Sequence, residues 1–243
     1  MGSLFALVGF AILFALSIGI SNVSLALVSL PLHQVLRSTY PLVIVPTYRL
    51  AYSRSYSSAV YACMMPMGLG AILTAASDRQ ASLLGTSLTV TGVLLDCVTS
   101  MTADYLLKGI LTLMPSELLL RLSPLVAMQC LGYAALVGEV STLRRFCQLG
   151  GGFSWSFGWA VFGNAFAAFA FNAVSLRLAE LMSARTTNTC RVAKHALTII
   201  SGIYLFSMPL GLVNGTGICI AVLGAAALSR VAVEESEALG RVV

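Results

Sequence analysis

The chain has 243 residues, of which 58% are hydrophobic and only 9% are charged. A water-soluble domain usually carries about 25% charged residues, so this chain has too few to cover a surface in water. Its formal net charge of +5 comes from basic residues that stand singly between apolar segments, which indicates topology signals rather than a nucleic-acid surface. We therefore predict a protein whose partner is the lipid bilayer, with no nucleic acid bound.

Eight apolar segments are each long enough to cross a membrane, since a helical span needs about 20 mainly apolar residues. In chain order they are residues 4–27, 31–51, 57–77, 83–107, 116–138, 154–178, 184–206 and 210–230. The pattern predicts an all-α, polytopic transmembrane bundle of about eight spans over residues 1–230, followed by a C-terminal tail over residues 231–243. Basic residues divide eight to three between the alternate connections, and this bias places both termini in the cytosol.

Three basic residues, Arg37, Arg191 and Lys194, fall inside predicted spans rather than between them. A charge at this depth costs about 2.5–3.5 kcal/mol and usually faces a bundle interior or a water-filled cavity. Arg37 lies between Pro31 and Pro41, and the bends that prolines introduce often shape a cavity. The alternative for Arg37 is a side chain that reaches the headgroups from a helix end.

Arg191 and Lys194 are three residues apart, so they share a helix face and repel each other unless an anion lies between them. A phosphate would supply that anion, whereas the alternative is that both cations are anchors near the end of a span. The neighbouring His195 is a weak signal, because a single histidine is more often structural. Asp96 and Asp104 are about two turns apart and are candidates to neutralise interior cations.

The sequence contains no recognisable set of catalytic residues. No Ser/His/Asp set, HExxH motif or pair of catalytic carboxylates occurs at usable spacing. The six cysteines form no CxxC pair and are interpreted as small apolar residues of the spans. We therefore predict that the protein is not an enzyme and that it uses no cofactor and no metal ion.

Six short motifs occur in order along nearly the whole chain. They are Ser21-Asn22-Val23-Ser24-Leu25 with Val28-Ser29, the stretch Gln34 to Pro41, the stretch Ser116 to Leu125, the pair Phe171-Asn172, the pair Lys194-His195, and the stretch Phe206 to Gly224. In this order they resemble the N-x-S-L…V-S, Q-x-x-K-x-x-x-P, A-P-L, Y-N, K-R and closing proline–glycine patterns of the triose-phosphate/nucleotide-sugar translocator family. That family is part of the drug/metabolite transporter superfamily.

The resemblance implies a fold of ten spans in two inverted five-span repeats, of which this chain is expected to lack the first two. In such inverted-repeat transporters the substrate binds between the repeats, near the middle of the membrane. The substrate-binding residues that the resemblance implies are Arg37, Lys194, His195, Arg191, Asn22, Ser21, Phe171 and Asn172.

By resemblance, Arg37 and Lys194 hold the substrate phosphate, and His195 assists them in place of the usual arginine. Ser21 and Asn22 are expected to line one wall of the cavity, and the pair Phe171-Asn172 the other side. Arg191 stands where the family usually has a small residue, so it either replaces the missing arginine one turn earlier or blocks the cavity.

The function implied by the resemblance is antiport of a phosphorylated sugar or nucleotide sugar across an organelle membrane by alternating access. Phosphate or a nucleoside monophosphate would be the counter-substrate. By resemblance the Golgi apparatus or endoplasmic reticulum is the expected organelle, and the alternative of a plastid would require a transit peptide. The alternative is a truncated, non-transporting paralogue that acts as a membrane scaffold or dimer partner, so a homodimer is left open.

Overall fold

The computed structural model describes residues 2–53, 55–78, 81–106, 114–148, 155–181, 194, 197–202, 204 and 211–240. The helices of this part are α1 (Gly2–Leu27), α2 (Leu30–Ser38), α3 (Tyr40–Tyr52), α4 (Ser58–Ser77), α5 (Leu83–Tyr105), α6 (Pro115–Val137), α7 (Glu139–Gln148), α8 (Trp155–Leu181) and α9 (Leu212–Gly240). Residues 197–202 are also helical. No strand occurs among the described residues, which confirms the all-α class.

Six of the described helices are long and apolar enough to cross a membrane, namely α1, α4, α5, α6, α8 and α9. They confirm a polytopic helical protein, but the predicted number of eight spans is wrong for this part of the chain. The predicted span 31–51 is broken into α2 and α3, which meet at Thr39. The predicted span 184–206 lies mostly outside the described residues.

The break between α2 and α3 has a local cause in Pro41, which lies in the first turn of α3. A proline has no backbone N–H to donate to the carbonyl four residues earlier, and its ring clashes with that carbonyl. The carbonyl in question belongs to Arg37, so the helix that carries Arg37 ends within one turn of it.

The described chain divides into two compact units. The first unit contains residues 1–15 and 102–182, and the second contains residues 16–101 and 183–243. In the first unit, Phe10 on α1 packs in a buried apolar cluster with Leu118 and Leu122 of α6. Most side chains of residues 155–174 on α8 are exposed, including four aromatic rings in contact along the helix, Trp155, Trp159, Phe162 and Phe166. Such an apolar exterior suits lipid as the solvent.

The second unit is built around the pair of helices α4 and α9, whose backbones touch. A Cβ atom at Gly70 would lie 2.6 Å from the Gly217 carbonyl oxygen, and one at Gly224 would lie 2.9 Å from the Met67 nitrogen. Small residues that allow this approach are the usual basis of helix association in membranes. Leu32 and Leu36 of α2 join the buried cluster that this pair forms, so α2 is held on a close-packed support.

Two polar stretches outside the predicted spans are helical. The polar stretch after Gly138 forms the short helix α7, and Gly138 itself makes the turn before it with a φ of 87°. The predicted tail after residue 230 begins as a continuation of α9, which runs as far as Gly240.

Candidate functional site

An ion pair joins α2 to α5 within the second unit. Arg37 lies in the last turn of α2, and its Nη2 is 2.5 Å from Oδ2 of Asp96 on α5. The side chains of Arg37 and Asp96 are 29% and 28% exposed, respectively, so both are largely withdrawn from the surface. Asp96 lies inside the candidate span 83–103, where an unpaired charge is expensive.

Two serines on α1 complete this group. Ser21 accepts a hydrogen bond from Nη1 of Arg37, and Ser17 donates one to Oδ1 of Asp96. Ser17 and Ser21 are four residues apart, so they present one face of α1. We call Ser17, Ser21, Arg37 and Asp96 the Arg37–Asp96 cluster. It links three helices through hydrogen bonds that involve a charged partner, which are about twice as strong as neutral ones.

The local sequence places Arg37 reliably. Ser29 caps the start of α2, because its hydroxyl accepts a hydrogen bond from the Leu32 amide at 3.3 Å. Pro31 fits the first turn, where its missing N–H has no partner to lose. With Pro41 just beyond the end of α2, the helix has the length of about two turns that brings Arg37 to α1 and α5.

The pairing bears on two of the sequence interpretations. Arg37 contacts two other helices, which favours the interior position over the alternative of a side chain that reaches the headgroups. The prediction that an aspartate neutralises an interior cation is confirmed for Asp96. The side chain of Asp104 lies outside the described part of the structure.

The other residues predicted for the site are distributed as follows. Asn22 is exposed, although its neighbour Ser21 belongs to the cluster. Lys194 is helical and exposed, while Arg191 and His195 lie outside the described residues. Phe171 and Asn172 are exposed on α8 in the first unit. The amide of Asn172 donates to the Ala168 carbonyl of its own helix at 2.9 Å.

His33 was missed by the sequence interpretation. It lies one helical turn before Arg37 on α2, is only 3% exposed, and interacts electrostatically with Arg37 and Asp96. Neither ring nitrogen makes a hydrogen bond of normal geometry among the described residues, although the backbone of Ser21 interacts with the ring. His33 and Arg37 are four residues apart, as are Ser17 and Ser21. This spacing places each pair on one helix face and is the sequence signal by which His33 and Ser17 could have been identified.

These observations define a class of protein. The described part of the chain has six helices able to span a membrane, and an ion pair with two serines joins α2 to the spans α1 and α5. These features identify an integral multi-pass membrane protein with polar groups between its helices. Polar interiors of this kind mark the paths of solutes and ions. Among the described residues, no group of three or more metal-binding side chains is present.

The family follows from comparison with known sequences. The model of the Triose-phosphate Transporter family matches residues 1–229, and the chain belongs to that family. Membership identifies the protein as a membrane transporter and confirms the resemblance found in the motifs. No curated protein matches the chain at a significant level.

Proposed function

We propose that the protein is a secondary transporter that exchanges a phosphorylated sugar or nucleotide sugar for phosphate or a nucleoside monophosphate. The exchange would proceed by alternating access in the membrane of an organelle, the Golgi apparatus or endoplasmic reticulum by resemblance. The observation that carries this proposal is the family match over residues 1–229. The Arg37–Asp96 cluster supports it, because it places a guanidinium among spans rather than at an exposed surface.

Arg37 can bind an anion while it stays paired with Asp96. A guanidinium has five N–H donors, and the contacts to Ser21 and Asp96 use one donor each. The remaining donors suit the oxygens of a phosphate, which arginine binds through two parallel hydrogen bonds. Lys194, with Arg191 and His195 beside it in the sequence, is proposed to supply the second positive charge.

The pairing also bears on how exchange would be coupled. Two unpaired cations in one site would repel each other, and the ion pair with Asp96 neutralises Arg37. The incoming phosphate therefore competes with Asp96 for the guanidinium or shares it. A ligand changes the balance between two conformations only by binding one of them more tightly. We propose that this difference in affinity arises at the guanidinium that Asp96 and the phosphate share.

Removing either side chain that is proposed to bind the phosphate is expected to lower exchange strongly. In proteoliposomes, Arg37→Ala and Lys194→Ala should each lower exchange about 10- to 100-fold, because a hydrogen bond to a charged group contributes about 1.5–3 kcal/mol. The measurement is uptake of labelled phosphate, sugar phosphates and nucleotide sugars into vesicles preloaded with the same compounds. Arg49→Ala is the matched control, because Arg49 is an exposed arginine of α3 that contacts Tyr61 instead of the cluster.

Two results would contradict the proposal. Normal exchange by Arg37→Ala or Lys194→Ala would show that these residues do not bind the substrate. A wild-type protein that inserts correctly but exchanges none of the compounds would favour the alternative of a non-transporting paralogue.

A further inference from the structure

His33 is a buried polar side chain whose hydrogen-bonding capacity is not fully used. Its residue is only 3% exposed, and neither ring nitrogen makes a hydrogen bond of normal geometry in the part of the chain that the structure describes, although the backbone of Ser21 interacts with the ring. A buried polar group that lacks a hydrogen bond costs about 1–3 kcal/mol. Buried polar groups are normally satisfied, so a ligand that enters the site is a candidate partner for His33.

The chemistry of imidazole restricts what that partner is. In its neutral form the ring has one N–H donor and one nitrogen that accepts a hydrogen bond. A phosphate or carboxylate oxygen without hydrogen satisfies the donor but not the accepting nitrogen. A hydroxyl group satisfies either nitrogen, because it both donates and accepts.

The groups around His33 point to the same kind of partner. Arg37 on the same helix and Asp96 on α5 interact electrostatically with it, and the backbone of Ser21 on α1 interacts with its ring as a hydrogen-bonding group. Because Arg37 and Asp96 neutralise each other, no excess positive charge remains beside His33 to attract a second anion. A neutral polar group therefore fits this position better than an anionic one.

We propose that His33 is a specificity-determining residue that hydrogen-bonds a hydroxyl group of the transported sugar, while Arg37 binds the phosphate. Positions four apart on a helix are separated by a rise of about 6 Å, which lets one small sugar phosphate reach both side chains. Since His33 is enclosed in this conformation, the contact forms when α1 and α2 separate near Ser21. This inference rests on the proposed transport of phosphorylated sugars.

The test compares glucose 6-phosphate, which carries hydroxyl groups and a phosphate, with inorganic phosphate. The purified full-length protein is titrated with each compound, and dissociation constants are taken from the shift in its unfolding midpoint. We expect the wild type to prefer glucose 6-phosphate. His33→Leu should weaken glucose 6-phosphate binding about 10-fold and change phosphate binding less than about twofold, while His33→Gln, which keeps a donor and an acceptor, retains most of the preference.

The unfolding midpoint of the ligand-free protein is a second measurement that distinguishes this role from a purely structural one. Replacing an unsatisfied polar ring by leucine should raise the ligand-free unfolding midpoint by about 2–4 °C. If the His33→Leu variant cannot be produced in folded form, His33→Met tests the same point, because methionine is a flexible apolar side chain that fits the same space.

The outcomes separate this inference from the function on which it rests. An unchanged preference for glucose 6-phosphate in His33→Leu or His33→Met overturns it, as does a wild type that binds both compounds equally. If either variant keeps the preference for glucose 6-phosphate and has a lower unfolding midpoint than the wild type, the imidazole binds a buried water instead of the substrate. If the wild type binds neither compound, the proposed substrate class itself fails.

Discussion

Exchanging the two charges, as Arg37→Asp together with Asp96→Arg, is expected to recover the stability that either substitution removes alone, but not to recover transport. Each single change places like charges against each other between α2 and α5. Breaking a fully buried ion pair costs about 3–5 kcal/mol, and since these side chains are 29% and 28% exposed, we expect a smaller cost of about 2–3 kcal/mol for each. The double variant restores an attractive pair at the same place.

Transport should stay lost in the exchanged variant because the guanidinium moves from α2 to α5. Arg37 is held by Ser21 as well as by Asp96, so its free donors have a fixed direction. On α5 the same group would face Ser17, and its donors would point elsewhere. A displacement of about 1 Å is enough to impair a site that depends on orientation.

The measurements are the unfolding midpoint and the exchange rate of the four proteins in this double-mutant cycle, which isolates the energy of the pair. Arg49→Asp is the control for the charge change alone, since Arg49 lies away from the cluster. Full transport by the exchanged variant would show that Arg37 serves only the ion pair. Failure to regain stability would show that the pair does not hold α2 against α5.

The helical class and most of the spans could be predicted from the sequence because lipid allows few alternatives to long apolar helices. The error in span 31–51 is instructive, since Pro31 and Pro41 were recognised as breaks but the segment was still counted as one helix. Membrane helices tolerate proline, so composition alone does not say whether such a segment bends or stops. Here the segment stops at Thr39, where α2 ends and α3 begins.

The site was predictable only in part. Interior charges stand out in an apolar sequence, so Arg37 and Asp96 could be singled out individually. Their pairing is a tertiary contact across 59 positions, and a spacing argument within one helix does not reach that far. His33 could be placed on the same helix face as Arg37 by its spacing of four, but only the folded chain shows that its ring is enclosed and makes no hydrogen bond of normal geometry among the described residues.

Gly217→Leu is expected to destabilise the second unit strongly by forcing α4 and α9 apart. A Cβ at Gly217 would lie 2.8 Å from the backbone nitrogen of Thr74 and 2.7 Å from its hydroxyl oxygen. The backbone nitrogen cannot move aside as a flexible side chain would, so the two helices must separate along their contact. Overpacking a core costs about 1–3 kcal/mol, and with backbone on both sides we expect at least about 3 kcal/mol, or a midpoint lowered by about 6–12 °C.

Gly215 provides a matched control on the same helix, because a Cβ there meets nothing within 4 Å. Gly215→Leu adds the same apolar side chain to α9 and should leave the unfolding midpoint nearly unchanged. Equal midpoints for the two variants would show that the close approach of α4 and α9 does not stabilise the protein. A lower unfolding midpoint in Gly217→Leu alone would show that the close packing of α4 and α9 requires a glycine at position 217. Because α2 packs on this helix pair, the position of Arg37 depends on the same glycine.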